Sequence, residues 1–187
     1  MSRSQRLILT IAILASFVAF LDGTLINVAL PAIETELGGG LTTQQWVVDA
    51  YLITLGSLIL LAGSISDAFG RLLVLRIGLY GFAAASVVIA IAPDPVILII
   101  ARAVQGAAGA FLVPSSLALI TSRFDGAMRG RAIGIWTAMT TGAMIVGPLI
   151  GGVFVDYLSW RFAFVINVVP IGITLWLLHT LGERDER

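Results

Sequence analysis

Three ionisable side chains, Asp22, Asp49 and Arg102, lie inside long apolar runs of the sequence. A charge at the centre of a membrane helix costs at least ~2.5 kcal/mol on insertion scales, so such residues face a protein interior and pair. Proton uptake by a carboxylate in this setting would remove the unfavourable charge. Counting about 1.5 Å of rise per residue from the outer helix ends places all three at similar depth. We therefore predict that Asp22 and Arg102 line one polar cavity and interact directly or through water, with Gln105 as a further lining group.

Both acidic residues also have plainer interpretations. Asp22 and Arg102 would face the bundle interior equally well as a purely structural buried pair. Asp49 follows Thr42-x-x-Gln45, which has the pattern of a capping box at a helix start. An acid in the first two helical turns also favours the helix dipole, so Asp49 has a structural role as an alternative.

The elements that must hold these residues are membrane helices. Of the 187 residues, 58% are hydrophobic and 12% are charged, against roughly 25% charged in soluble domains. Runs of about 20 apolar residues are long enough to span a bilayer. Six such runs occur, at 7–32, 44–65, 73–92, 96–120, 132–155 and 162–180. We predict an all-α membrane protein in which residues 1–187 form a single six-helix domain in contact with the lipid bilayer.

The composition argues against several other classes of protein. Cysteine is absent and histidine occurs once, which excludes thiolate chemistry and makes a histidine metal site or catalytic triad a poor fit. The 11 basic and 11 acidic residues cancel, and no basic patch indicates nucleic acid. Ser115 and Ser116 have no basic partner of the usual catalytic kind. We expect no enzyme activity, no metal and no cofactor.

The arginines predict the orientation of the domain in the membrane, because cytoplasmic loops are enriched in basic residues. With six spans, one side holds both termini and the breaks after the second and fourth spans. Its nine arginines are Arg3, Arg6, Arg71, Arg76, Arg123, Arg129, Arg131, Arg184 and Arg187. The opposite side holds Arg161 alone. Both termini are therefore predicted to be cytoplasmic, in a cell membrane.

The fifth run carries small residues at every fourth position: Ala143, Gly147 and Gly151. A stripe of this kind lets another backbone approach closely, although ordinary close packing explains the spacing as well. Pro148 removes an internal hydrogen bond and is expected to bend or loosen this helix.

The break after the second run predicts a tight turn between two helices. Asp67 follows Gly63 by four residues, and Gly70 allows the chain to reverse. Asp67 and Arg71 are placed to bridge neighbouring helix ends. A weaker form of the pattern recurs on the other side as Gly152, Asp156 and Arg161. Corresponding breaks on opposite sides favour a 3+3 inverted repeat.

Five motifs in this order resemble the major facilitator superfamily, and most closely its fourteen-span drug–proton antiporter branch. They are "LDGTLINVALP" in the first run, "GSISDAFGR" in the following loop, "RAVQGAAGA" in the fourth run, "VGPLIGG" in the fifth and "SWRFAFVIN" at the sixth. The resemblance implies the N-terminal six-helix half of the major facilitator fold.

The resemblance also implies roles for individual residues. The proton and substrate pathway would include Asp22 and Arg102, with Arg102 influencing protonation of Asp22. To this predicted pathway we add Asn27 from the same first-run motif, and Gln105 and Asp49 from their positions near the two charges. A conformational latch would comprise Gly63, Asp67, Gly70 and Arg71. An antiporter helix that forms the bending interface between two halves would contain Ala143, Gly147, Pro148, Gly151 and Gly152. The loop departs from the family pattern at Ala68 and Leu72, where basic residues are usual.

The function implied is proton-driven efflux of drug-like or amphipathic small molecules, with the proton gradient as energy source. Such transporters have twelve or fourteen spans, so a second six-helix half or a homodimer partner is expected. The alternative is a truncated, non-transporting fragment of such a transporter with only a structural membrane role.

Overall fold

The computed structural model describes residues 1–181, and all the regular structure in this part of the chain is helical. The helices are α1 (Arg3–Leu37), α2 (Gly40–Phe69), α3 (Arg71–Ala90), α4 (Pro95–Arg123), α5 (Gly126–Tyr157), α6 (Phe162–Val165) and α7 (Val168–Leu181). Six membrane spans are long and apolar enough to cross a bilayer, and α6 and α7 together form the sixth. This confirms the predicted all-helical class with six spans, although the sixth is broken rather than continuous. Arg184 and Arg187, used for the orientation, lie outside the described residues.

Local signals determine where the helices begin and turn. A capping box does occur, but at Ser2 and Gln5 of α1, whereas α2 begins after Gly39 in a left-handed conformation. The capping box expected at Thr42 is therefore wrong, because that residue already lies inside α2. Gly70 separates α2 from α3 with φ 104° and ψ 130°, a conformation that L side chains rarely adopt.

The packing order relates the first three helices to the last ones. The main neighbour of α2 is α4, and the main neighbour of α5 is α1. The second helix of each three-helix unit thus packs on the first helix of the other unit. This reciprocal arrangement agrees with a 3+3 repeat, and it puts α1 and α4 in the interior.

Small residues make these crossings close. A methyl group at Gly106 of α4 would clash with the carbonyl oxygen of Tyr51 and the hydroxyl of Thr54, both on α2. At Gly147 of α5 it would clash with the Thr24 hydroxyl and lie 3.0 Å from the Leu21 carbonyl oxygen on α1. Close backbone approach of this kind is a usual basis of helix association in lipid.

Candidate functional site

A buried ion pair joins α1 to α4 in the middle of the bundle. Arg102 Nη1 donates to Asp22 Oδ2 at 2.6 Å, and both residues have no exposed surface. The predicted interaction between these two residues is therefore present and direct. They contact each other where both are completely buried, and the polar cavity that they are predicted to line stays a prediction.

The arginine is held by three acceptors and two aromatic rings. Its Nη1 also donates to Gln105 Oε1 at 2.6 Å, and its Nε donates to the Val47 carbonyl oxygen at 3.0 Å. The guanidinium carbon lies 4.3 Å from the centre of the Tyr51 ring and 5.8 Å from that of Phe164. Guanidinium groups at such distances are attracted by the negative faces of aromatic rings. The charge is thus stabilised from α2, α4 and α6 as well as by the carboxylate.

The carboxylate of Asp22 is held by two amides in addition to the arginine. Gln105 Nε2 donates to Asp22 Oδ1 at 3.1 Å and to Ser86 Oγ on α3 at 2.9 Å. Asn167 Nδ2 donates to the same Asp22 oxygen at 2.8 Å. A buried carboxylate with three donors is satisfied as an anion, which is the condition for keeping a charge inside a protein.

Asn167 is a member of this network that the sequence analysis missed. It lies between α6 and α7, and Pro170 follows three residues later. Pro170 has no N–H to donate to Ile166, so the helical ladder is interrupted there. The sequence signal of Asn167 is that of a lone amide side chain in the sixth apolar run, a polar group that is not ionisable.

The structure does not bring Asp49 and Asn27 to this network, since both are exposed. Successive helical residues are about 100° apart around the axis. Asp49 therefore lies on the opposite face of α2 from Val47 and Tyr51. Asn27 lies about 140° around α1 from Asp22, and its amide donates weakly to Gly23 and Thr24. Their place in a proton or substrate pathway stays a prediction.

An apolar groove of about 260 Å³ lies next to the buried pair, between α1, α2, α4 and α5. Tyr51 lines this groove, and the face of its ring also contacts the Arg102 guanidinium. The other lining residues are Ala19, Phe20, Gly23, Thr24, Leu52, Leu55, Ile59, Gly109, Val113 and Met144. The groove can accept an apolar molecule, and the Tyr51 ring would then lie between that molecule and the Arg102 guanidinium.

The turn between α2 and α3 forms the ion pair that its sequence predicts. Arg71 Nη2 lies 3.2 Å from Asp67 Oδ1, and Arg71 Nη1 donates to the Ala118 carbonyl oxygen of α4 at 3.4 Å. Gly70 is buried in the turn, whereas Gly63 has open space around its α-carbon. The pair bridges helix ends within this unit, and its role as a latch stays a prediction.

The small-residue stripe of α5 faces α1. Ala143, Gly147 and Gly151 are buried, and a methyl group at Gly151 would lie 3.2 Å from the carbonyl oxygen of Leu25. The stripe therefore packs inside this six-helix unit, and a role of α5 at the bending interface between two halves stays a prediction. Pro148 is exposed, and Gly152 has open space around it. Helix α5 continues through Pro148 without a break.

A second polar cluster, which the sequence analysis did not predict, ties the helix ends on the opposite side of the bundle. Arg161 Nη2 lies 2.8 Å from Glu36 Oε1, and its Nη1 donates to the carbonyl oxygens of Ala90 and Ala92 at 2.9 Å each. Trp160 Nε1 donates to Glu36 Oε2 at 2.7 Å. The cluster connects α1, α3 and the entrance to α6.

Within residues 1–181, no group of histidine, cysteine or acidic side chains is placed to hold a metal ion.

Comparisons with known proteins identify the family of this sequence. Residues 12–187 match the Major Facilitator Superfamily. A puromycin resistance protein of Streptomyces alboniger is 41% identical over 180 residues, covering 96% of this chain and 36% of that protein. The multidrug efflux pump LfrA of Mycolicibacterium smegmatis is 39% identical over 165 residues, covering 88% of this chain and 32% of the pump. The chain spans about a third of the length of these curated relatives.

Solved structures support the same fold at low sequence identity. The peptide transporter POT gives a TM-score of 0.82 at 15% identity, over 94% of this chain and 38% of that one. The proton:xylose symporter XylE gives a TM-score of 0.77 at 20% identity, over 94% of this chain and 44% of that one. The family and these neighbours are transporters, not enzymes, in agreement with the sequence prediction.

Proposed function

This chain belongs to the Major Facilitator Superfamily, and we propose that it forms the N-terminal six-helix half of a proton-coupled exporter of drug-like or amphipathic molecules. The relatives named above are a resistance protein and an efflux pump, which supports export as the activity. Because the chain covers about a third of each relative, transport by the assembled protein is part of the proposal.

The observation that carries the proposal is the buried pair of Asp22 and Arg102. A membrane helix keeps an ionisable residue only where the residue pairs or functions. Ionised Asp22 attracts Arg102, whereas protonated Asp22 has no net charge and holds the arginine less strongly. The two protonation states therefore favour different arrangements of α1 and α4. This difference is what a proton gradient needs in order to drive a conformational change.

The adjacent groove supports an amphipathic substrate. Its walls are almost entirely apolar, and Tyr51 separates it from the Arg102 charge. An apolar substrate in the groove would press on the ring that carries the guanidinium. We propose that substrate and proton compete in this way. No cofactor is proposed, since the proton gradient supplies the energy.

The exposed surfaces of α2 and α5 support a second half as partner. These helices border the groove and are the least buried of the six spans. The large apolar side chains that these two helices expose include Leu52, Ile53, Leu60, Leu61, Met139, Met144, Ile145 and Leu149. Lipid could cover them, but a second six-helix half or a second copy would also close the groove. We place the domain in the cell membrane with both termini cytoplasmic.

A transport assay tests the proposal. The chain and its second half would be reconstituted together in vesicles, and efflux of several dyes measured with and without an imposed proton gradient. We expect Asp22→Asn to abolish gradient-dependent efflux while membrane insertion persists, because the variant cannot bind and release a proton. Asp156→Asn, at an exposed acid near the end of α5, is the matched control and should transport normally. Normal coupled efflux by Asp22→Asn would remove Asp22 from the mechanism.

The alternative is a structural membrane role without transport. The same vesicles discriminate the two functions when the chain is reconstituted alone and with the second half. Gradient-dependent efflux in either preparation supports transport. Absence of efflux in both, with correctly inserted protein, supports the structural role.

A further inference from the structure

Asn167 occupies the one interruption of the sixth membrane span within the described residues. Its backbone N–H donates to the Phe164 carbonyl oxygen at 3.2 Å, which is a tight turn rather than a regular helical bond. Its own carbonyl oxygen accepts from Ile171 at 3.3 Å and so begins α7. The residue therefore belongs to the junction of α6 and α7 through its main chain.

The side chain of the same residue contacts the carboxylate of the buried pair. Asn167 Nδ2 donates to Asp22 Oδ1 at 2.8 Å, while Arg102 occupies the other carboxylate oxygen. The charged or titratable groups around Asp22 in the described chain are Arg102 from α4 and Tyr51 from α2. The α3 group in the network is the Ser86 hydroxyl, reached through Gln105, and α6–α7 contributes the neutral amide.

The other half of the amide is unused. Among the buried side-chain atoms of residues 1–181, those without a hydrogen-bond partner are Asn167 Oδ1 and Ser116 Oγ. A buried acceptor without a donor is unfavourable, because it has lost its hydrogen bond to water without gaining another. Asn167 alone of these two contacts Asp22, so an unpaired acceptor is attached directly to the residue proposed to bind the proton.

We infer that Asn167 is a positioning residue that hydrogen-bonds Asp22 in both protonation states by exchanging its amide N–H₂ for its amide oxygen. In the ionised state Nδ2 donates to the carboxylate, as observed. When Asp22 binds a proton from water, the new O–H bond forms on Oδ1 and needs an acceptor. A half-turn of the Asn167 amide presents its Oδ1 as the acceptor for this O–H. Gln105 Nε2 continues to donate to a lone pair of Asp22 Oδ1.

This exchange links the proton to the sixth span, a step that rests on the proposed function. The amide turns at the point where α6 and α7 are not held together by a continuous hydrogen-bond ladder. The protonation state of Asp22 on α1 therefore determines which amide atom of Asn167 is hydrogen-bonded at this junction.

Infrared difference spectroscopy of the full chain in lipid nanodiscs tests the exchange without requiring transport. The carboxylic-acid C=O band that grows as pH falls is assigned to Asp22 by its loss in Asp22→Asn. In Asn167→Leu, which has nearly the same shape, we expect this band to move to higher wavenumber because its O–H has lost the amide acceptor. Gln45→Leu, at an exposed amide side chain of α2, is the matched control and should leave the band unchanged. An unchanged band in folded Asn167→Leu overturns the inference, and so does the absence of a titrating Asp22 band.

A second measurement covers the case in which Asn167→Leu fails to insert. Asparagine occurs at two positions of the chain, Asn27 and Asn167. Asparagine labelled with ¹³C at the side-chain amide carbonyl therefore reports on Asn167 alone in the Asn27→Leu variant. Its amide C=O band should shift with the same pH dependence as the Asp22 band and become insensitive to pH in Asp22→Asn. A labelled band that stays fixed while Asp22 titrates overturns the inference. Loss of gradient-driven efflux with both bands behaving as expected contradicts the proposed function alone.

Discussion

Removal of one partner of the buried pair should destabilise the bundle far more than removal of both. Arg102→Met leaves the Asp22 carboxylate with its two amide donors but without its countercharge. Asp22→Asn leaves the guanidinium buried with Gln105 and the Val47 carbonyl oxygen as its remaining acceptors. Breaking a buried pair by removing one partner costs about 3–5 kcal/mol, because an uncompensated charge remains.

The double variant sets the scale of the interaction. With Asp22→Asn and Arg102→Met together, no charge is buried, and replacement of a buried pair by neutral groups of similar volume is often close to neutral. We expect the double variant to be more stable than either single variant. Because each single variant loses far more than the double variant, the interaction energy should lie above the roughly 0.5–3 kcal/mol usual for residues in direct contact, as expected for partners that are completely buried and 2.6 Å apart.

The assay is unfolding of the full chain in mixed micelles with increasing SDS, followed by circular dichroism. The matched control is the exposed pair of Asp67 and Arg71, whose side chains are 66% and 35% exposed. Its coupling should stay near 0.3–0.5 kcal/mol, about the value of a helical pair four residues apart. If the losses at Asp22 and Arg102 add to within about 0.5 kcal/mol, the two groups do not stabilise each other and the reasoning is refuted.

Three further substitutions test the packing around the site by the same unfolding assay. Gly106→Ala should lose about 1–3 kcal/mol through overpacking against α2, whereas Gly152→Ala, which meets open space, should be neutral or stabilising; equal effects would contradict the close α2–α4 contact. Gly70→Ala should lower the free energy of unfolding by about 1–3 kcal/mol, because φ 104° is strained for a residue with a side chain. An unchanged midpoint of SDS unfolding would show that this turn adopts another conformation. Glu36→Gln should lose about 1 kcal/mol or less, since the Arg161 pair is partly exposed; a loss above about 3 kcal/mol would contradict this exposure.

Much of the site followed from the cost of charge in an apolar setting. Asp22 and Arg102 interrupt apolar runs at similar depth, and lipid offers an isolated charge no favourable alternative to pairing. Gln105 lies one turn from Arg102 on the same helix, so its inclusion follows from helical geometry. The six spans followed from run length alone.

The face that each helix turns inward could not be obtained in the same way. Helix α2 is apolar around most of its circumference, so it has no polar face to mark the outside. Asp49 was therefore grouped with Asp22 by depth, although Val47 and Tyr51 are the residues of α2 that face the network. The same limit applied to the α5 stripe, whose spacing predicts a close neighbour but does not identify α1 as that neighbour.

By itself the sequence determined the membrane class, the six spans and the need for Asp22 and Arg102 to meet, because transfer free energies act residue by residue. Tertiary structure decided that Asn167 completes the carboxylate site and that Asp49 stays outside it. These outcomes depend on the rotation of each helix about its axis and on a break in the sixth span. Both are set by interhelical contacts between residues far apart in the chain, which no local pattern encodes.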